Sequence, residues 1–344
     1  MKQFSLPVLC AALCAVTAAA AAERPPAAAP LYKPQQSATG TIRIWGDENM
    51  AGVTRQWAAG FKKYHPKAQF EFLLKGSGAA MPGIYHRVAD LALLGRESDL
   101  TDDNGFFKSV GGYAPLKLEL MNGSLTVPGK SAAPAVFVHK DNPLAKMTVV
   151  ELEAIFGHEH RRGPHNIRTW GQLGLTGEWQ DKPIFLYAPD AESEAGVHFT
   201  RSVLAESRKM NWEHLKEFQD NKNPDGSVQD SGRQIVDALR KDRYGLALAN
   251  IRYRTAGVKP LAIAANDAAP YFPPTAHNVI GRTYPLARRT YAFANRQPGK
   301  PVESALNEFL RYVLSRQGQQ DIVHEGGYLP LAPAVLAEQL KRLD

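Results

Sequence analysis

Thr41-Ile42-Arg43-Ile44-Trp45 alternates apolar and polar side chains, the pattern of a half-buried strand. It runs into Gly46-Asp47-Glu48-Asn49, a turn composition. Beyond the turn Val53, Trp57, Phe61 and Tyr64 recur at helical spacing, and Pro66 ends that helix. Residues 69–74 read as a second strand, closed by Gly76-Ser77-Gly78, and residues 90–94 as a third after another helical turn. Strand, helix, strand, helix in this order predicts an α/β domain built on a largely parallel sheet.

The pattern continues outward from this stretch. Residues 135–138, 184–187, 244–250 and 290–295 read as further strands. Thr148-Val149-Val150-Glu151 has the spacing of a capping box and opens a helix to Phe156; Ser231-Gly232-Arg233-Gln234 repeats that spacing ahead of a helix to about Lys241. A helix is expected over 196–204. Another over 302–315 places Leu306, Phe309, Leu310 and Val313 on one face. With 344 residues the chain is too long for one small core, and two domains are expected.

The start of the chain has a different character. Lys2 precedes an apolar run over 4–19, and Ala20-Ala21-Ala22 fits a small-residue cleavage site. Residues 1–22 therefore read as an export signal, and the chain as secreted after its removal. Leu9 and Leu13 precede Cys10 and Cys14, where a lipid-anchoring site wants a small residue. Both cysteines lie in the leader, so the mature chain has none and folds without a disulfide in an oxidising compartment. Residues 23–39, rich in Ala, Pro, Gln and Ser, read as a flexible tether.

Composition removes several classes of function. With 44% hydrophobic and 22% charged residues, the chain is neither disordered, collagen-like nor a multispanning membrane protein. The charge of +7 falls to +6 once Lys2 is removed with the leader. That mild excess suits an anionic ligand or surface, and no aromatic-interleaved basic stretch points to nucleic acid. No G-x-S-x-G elbow, Walker loop or H-E-x-x-H motif occurs. His158-Glu159-His160 with His165 is the one candidate metal cluster, but Arg161, Arg162, Gly163 and Pro164 give it the composition of an exposed loop; no metal or cofactor is expected.

Ligands of open α/β sheets bind at the carboxyl ends of the strands. Three loops qualify. Gly46-Asp47-Glu48-Asn49-Met50 precedes a helix whose free amides suit an anion, although Asn49 equally suits a helix cap. Gly76-Ser77-Gly78 lets backbone approach a ligand and offers a hydroxyl, or is a plain tight turn. Asp190-Ala191-Glu192-Ser193-Glu194 precedes a helix, where acids ordinarily complement the dipole.

Several longer stretches resemble one family. Tyr284-Pro285-Leu286-Ala287-Arg288 followed by Thr290-Tyr291-Ala292-Phe293-Ala294-Asn295 is similar to the late crossing strand of the periplasmic phosphate-binding proteins of ABC transporters. The run from Glu308-Phe309-Leu310 to Arg316-Gln317-Gly318-Gln319 resembles their C-terminal helix, and Gly327-Tyr328-Leu329-Pro330-Leu331 their closing segment. Val136-Phe137-Val138-His139-Lys140-Asp141-Asn142-Pro143 and Ile155-Phe156-Gly157 also fit.

The resemblance implies a type II periplasmic binding fold of two α/β lobes, each a mainly parallel sheet flanked by helices. The first lobe would comprise 40–130 with 251–344, and the second 131–250. It implies a monomer that captures phosphate or a related oxyanion in the interlobe cleft for an ABC permease, without catalysis. In the family the oxyanion is held by backbone amides, hydroxyls, an arginine and an aspartate that accepts from protonated phosphate. Position by position, the ligand set falls on Asn49, Met50, Ser77, Gly78 and Asp90, and on Ser193 and Glu194 in the third loop. Pro189 stands about where the family's arginine belongs, and Arg96 is the candidate to replace its charge. Asp47, Glu48, Glu192 and Glu194 bring acids toward the cleft and leave a cationic or zwitterionic solute as the alternative. A ligand-poor sensory or interaction module on the same scaffold is a second alternative.

Overall fold

The computed structural model describes residues 29–344. The expected leader and residues 23–28 of the expected tether lie outside the described residues. The rest of that tether is not free chain. Ala29 and Ala38 are buried, and the Tyr32 hydroxyl donates to Glu308 Oε2 and meets His65 Nε2, each at 2.6 Å. The amides of Gln35 and Gln36 donate to the other Glu308 oxygen, and Ala38 N donates to His65 Nδ1. Residues 29–39 are thus a strap fastened to the first lobe by a buried polar chain, which composition alone does not reveal.

The first lobe opens with β1 (Gly40–Gly46), α1 (Ala51–Lys62), β2 (Ala68–Leu74), α2 (Ser77–Tyr85), β3 (Leu91–Leu94), α3 (Leu100–Val110) and β4 (Leu116–Asn122). The chain then crosses to β5 (Pro134–His139), β6 (Lys146–Thr148), α4 (Val149–Phe156), β7 (Phe185–Pro189), α5 (Glu194–Ser202) and β8 (Leu215–Phe218). A small hairpin, β9 (Asn221–Lys222) and β10 (Val228–Gln229), leads to α6 (Ser231–Leu239), β11 (Gly245–Asn250), β12 (Val258–Pro260), β13 (Ala262–Ala264) and α7 (Ala276–Ile280). The chain returns through β14 (Arg289–Ala294) and closes with α8 (Ser304–Val313), α9 (Arg316–Glu325) and α10 (Pro333–Lys341).

Two five-stranded sheets result, in the orders β2-β1-β3-β14-β4 and β12-β5-β11-β7-β8. Both are mixed rather than mainly parallel. β1 pairs in parallel with β2 and β3, whereas β14 runs antiparallel to β3 and β4. β7 is parallel to β8 and β11, whereas β5 is antiparallel to β11 and β12. The antiparallel members are the strands that arrive from the other lobe, and they enter each sheet from the cleft edge.

The second crossing lies later than the expected position 251. β12 pairs with β5, β13 pairs with β6, and Val279, Tyr284 and Leu286 pack in the second core with Phe156, Trp170 and Phe199. The chain rejoins the first sheet only at Arg289, so residues 251–287 stand with the second lobe.

Each sheet is buried on both faces, as α/β sheets are. Leu91 and Leu93 face Trp57, Phe61 and Phe309, while Ala92 and Leu94 face Met81, Ile84 and Phe106. Val136 and Val138 face the Phe156 cluster, and Ala135 and Phe137 face Ile235 and Leu239. The Thr148 capping box forms with both of its bonds. The expected one at Ser231 does not: Asp230, one residue earlier, caps α6 by accepting from Gly232 N at 2.9 Å, and the Gln234 amide reaches two backbone carbonyls instead.

Candidate functional site

The carboxyl ends of β1, β3 and β7 meet the entries of β5 and β14 along one seam between the sheets. Loops from both lobes and from the crossing segments converge there.

After β1, Asp47 is 3% exposed and caps the short turn Glu48–Met50, its Oδ1 accepting from Asn49 N at 3.1 Å. Met50 N donates to Asp47 O at 3.0 Å, and the Met50 side chain lies in the core. The amides of Asn49 and Met50, expected to hold a ligand, are therefore already engaged by Asp47. After β2, Gly76 takes φ +117°, a backbone that glycine adopts readily, and Ser77 begins α2, so this segment is a helix start rather than a plain turn. Gly78 sits in the first turn with open space above it. After β7, Ser193 Oγ accepts from Gly196 N at 3.1 Å and donates to Asp190 O at 2.6 Å, which commits it to capping α5. Glu194, the next residue, reaches into the seam.

The centre of the seam is Arg288, only 3% exposed. Its Nε donates to Gly95 O and its Nη2 donates to Glu194 Oε2, both at 2.7 Å. Ser77 Oγ lies 3.5 Å from Glu194 Oε1, and the Asp47 carboxyl neighbours the Glu194 carboxylate. Burial, reinforced by the neighbouring Glu194 carboxylate, pushes Asp47 up to about 7. Burial works the same way on Glu194. The neighbouring Asp47 carboxyl and the bound, positively charged Arg288, with Arg96 further off, nonetheless hold it below its ordinary value. Of the two acids Asp47 is thus the one that favours its proton, and Glu194 the one that favours the anion. Asp47 Oδ2 is buried without a hydrogen-bond partner. Ser131 Oγ, just before β5, is buried beside it without a partner. A Cβ at Gly95 would collide with both Ser131 Oγ and Asp47 Oδ2, so glycine there makes the room. A guanidinium, a carboxylic acid and a hydroxyl around one carboxylate form a cradle for an oxyanion.

Two expected site residues lie elsewhere. Asp90 precedes β3 at its amino end, and Arg43 grips its carboxylate from Nη2 at 2.7 Å and Nε at 3.1 Å. At about 3.3 Å per strand residue it is roughly 16 Å from the seam, on the far edge of the sheet. Arg96 turns away: its Nη1 donates to Asp102 Oδ2 at 2.7 Å and to Glu97 O at 2.8 Å, bracing the capping box of α3. Its charge reaches Glu194 only from a distance.

The family model of the PBP superfamily domain matches residues 33–317. The chain belongs to this superfamily. It is 30% identical over 317 residues to the phosphate-binding protein PstS of Pseudomonas aeruginosa, covering 92% of this chain and 91% of that protein. Its fold is similar to that of the ABC-type phosphate transport receptor of Vibrio cholerae. The TM-score is 0.54 at 18% identity, covering 84% of this chain and 99% of the other. It is also similar to PstS of Borrelia burgdorferi, with a TM-score of 0.57 at 12% identity, covering 85% and 99%.

In this PBP-superfamily chain the missed residue is Arg288. It stands in the crossing motif Tyr284-Pro285-Leu286-Ala287-Arg288, and a buried-strand neighbourhood around one of two adjacent arginines was the available signal. Asp47, one of the acids expected toward the cleft, stands directly after β1 and so lies at the seam.

Three cavities flank the seat. One of about 640 Å³ is lined by Asn49, Lys130, Ser193, Glu194, Arg252 and Arg288. Another, of about 260 Å³, is bounded by Arg96, Glu97, His198, Arg201, Arg289 and Tyr291. A third, of about 400 Å³, lies at the rim between Asp99 and Leu100 of the first lobe and Arg208, Met210 and Trp212 of the second. Among the described residues no three His, Cys, Asp or Glu side chains are placed to hold a metal, and Glu159 pairs with Arg161 and Lys209, each at 2.8 Å.

Proposed function

We propose that this chain is a periplasmic solute-binding protein that captures phosphate or a related oxyanion between its lobes and delivers it to an ABC permease. The buried Arg288 guanidinium carries this reading: it is directed at an anion in the interlobe seam, with the Asp47 carboxylic acid and the Ser77 hydroxyl beside it. The similarity to PstS of Pseudomonas aeruginosa over nearly its whole length supports the same reading. In these terms Arg288 replaces the arginine that Pro189 displaces from the third loop, and Asp47 takes the part assigned to Asp90. The site holds and releases its solute without making or breaking a covalent bond, and the protein acts as a monomer after removal of residues 1–22. The lobes we assign are 40–130 with 288–344, and 131–287.

Calorimetric titration of the ligand-stripped mature chain with inorganic phosphate tests the reading. Binding in the micromolar range or tighter, weakened by about 10- to 10²-fold in Arg288→Met, is the expected result. No heat and no thermal stabilisation at millimolar phosphate overturns it. A second reading, a cationic or zwitterionic solute, is favoured by Asp190, Glu192, Asp220 and Asp230 on the wall of the 640 Å³ cavity. It predicts that amines bind where phosphate does not.

A further inference from the structure

We infer that Glu194 is a tethered competitor whose carboxylate occupies the oxyanion seat, so that a free oxyanion enters only as Glu194 leaves. The inference rests on the oxyanion reading of the site. Two contacts support it. Oε2 takes the Arg288 Nη2 bond and Oε1 faces the Ser77 hydroxyl, with the buried Asp47 carboxyl alongside. These are the donors that an incoming phosphate oxygen would use.

Nothing holds Glu194 there except the seat itself. The cap of α5 is made by Ser193, so the helix start does not depend on the Glu194 side chain. Glu194 also lines the 640 Å³ cavity, which gives the side chain room to swing out without moving the backbone. Its presence has an electrostatic cause: an empty seam would bury Arg288 without a counterion, which is unfavourable. A carboxylate fixed on a helix acts at a high effective concentration and does not dilute away, so it sets a threshold that solute must exceed. Anions that bind more strongly than a monodentate carboxylate pass that threshold, which makes Glu194 a specificity-determining residue.

The test uses the mature chain with Glu194→Gln and Glu194→Ala, titrated with phosphate and, separately, melted in tens of millimolar formate. Phosphate is expected to bind both variants at least ~10-fold more tightly than wild type. Formate, which replaces the missing carboxylate, is expected to raise the melting temperature of Glu194→Ala but not of wild type, and not of Glu194→Ala combined with Arg288→Met. Absence of that selective stabilisation overturns the inference, as does measurable phosphate binding that is no tighter in the variants than in wild type. Formate rescue with no phosphate binding by any of the proteins upholds the seat and overturns phosphate as the solute. The Gln variant keeps the side-chain shape, so its phosphate titration decides if the Ala variant fails to fold.

Discussion

Arg288 and Glu194 meet at 2.7 Å although 94 residues separate them in the chain. Glu194 rides on the second lobe, Asp47 and Ser77 on the first, and Arg288 on the segment that joins them. The pair therefore ties three parts of the molecule at one buried point. Removing one member of such a pair leaves the other charge without compensation, whereas removing both does not. Arg288→Met is expected to lower stability by about 3 kcal/mol, and Glu194→Gln on top of it to restore part of that loss. Urea unfolding of the two single variants and the double variant measures this; additive losses would refute the coupling.

Asp47 gives the stability a pH dependence of known sign. The folded chain keeps the Asp47 proton to about pH 7, while the unfolded chain releases it near the ordinary carboxylate value of 3.8. The folded state binds the extra proton in between, so the Asp47 contribution declines as pH rises through that window. His198 acts in the opposite sense. Burial, aided by the charge of Arg288, lowers it to about 4 from 6.5, so its contribution declines as pH falls through that range. Asp47→Asn removes only the first effect. Its melting temperature relative to wild type is expected to climb between pH 4 and pH 7, and a difference that stays flat across this range contradicts the assignment.

Asp90 is held by Arg43 on the far edge of the first sheet, with side chains 30% and 37% exposed. A half-exposed ion pair of this kind stabilises by about 1 kcal/mol or less. Asp90→Ala is therefore expected to leave phosphate affinity within a factor of about 2 of wild type, a change well under 1 kcal/mol. A ten-fold loss in titration would return Asp90 to the site.

Tyr32 closes the polar chain beneath the strap. Its hydroxyl joins His65 to Glu308, and both of those side chains are almost fully buried. Burial lowers His65, so it stays neutral and its Nε2–H can serve the tyrosine oxygen. Tyr32→Phe leaves two buried polar atoms without a partner and is expected to cost about 1–3 kcal/mol. Urea denaturation measures the cost, and amide exchange at Ala38 is expected to accelerate as the strap loosens; unchanged values for both would show the network to be inert.

Local signals in the sequence were enough for most elements. The spacing of Val53, Trp57 and Phe61 gives α1, and Thr148 with Glu151 gives the start of α4, because each pattern is decided within a few residues. The parallel order of β1, β2 and β3 was legible for the same reason. The mixed character of the sheets was not, since it arises where strands cross from the other lobe. The site divides along the same line. Ser77 and Glu194 follow strands directly and could be named from the loops. Arg288 gains its role from Gly95 and Glu194, which no spacing rule connects to it. Asp90 enters the site only through the resemblance. It opens the strand read over 90–94, so its place at the amino end, away from the carboxyl-end loops, is legible in the sequence and is borne out by the register of Leu91 against Ile44.

At the rim of the cleft Trp212 is 50% exposed and faces Leu100 of the opposite lobe across the 400 Å³ cavity. Trp57, Trp170 and Trp179 are buried, and Trp45 is half-buried behind α2. Trp212 is thus the tryptophan whose surroundings change when the lobes move. Should solute capture narrow the gap, its emission is expected to shift to the blue without any attached dye. Trp212→Phe supplies the silent control, and the signal reports the distance between the lobes rather than the chemistry of the seat.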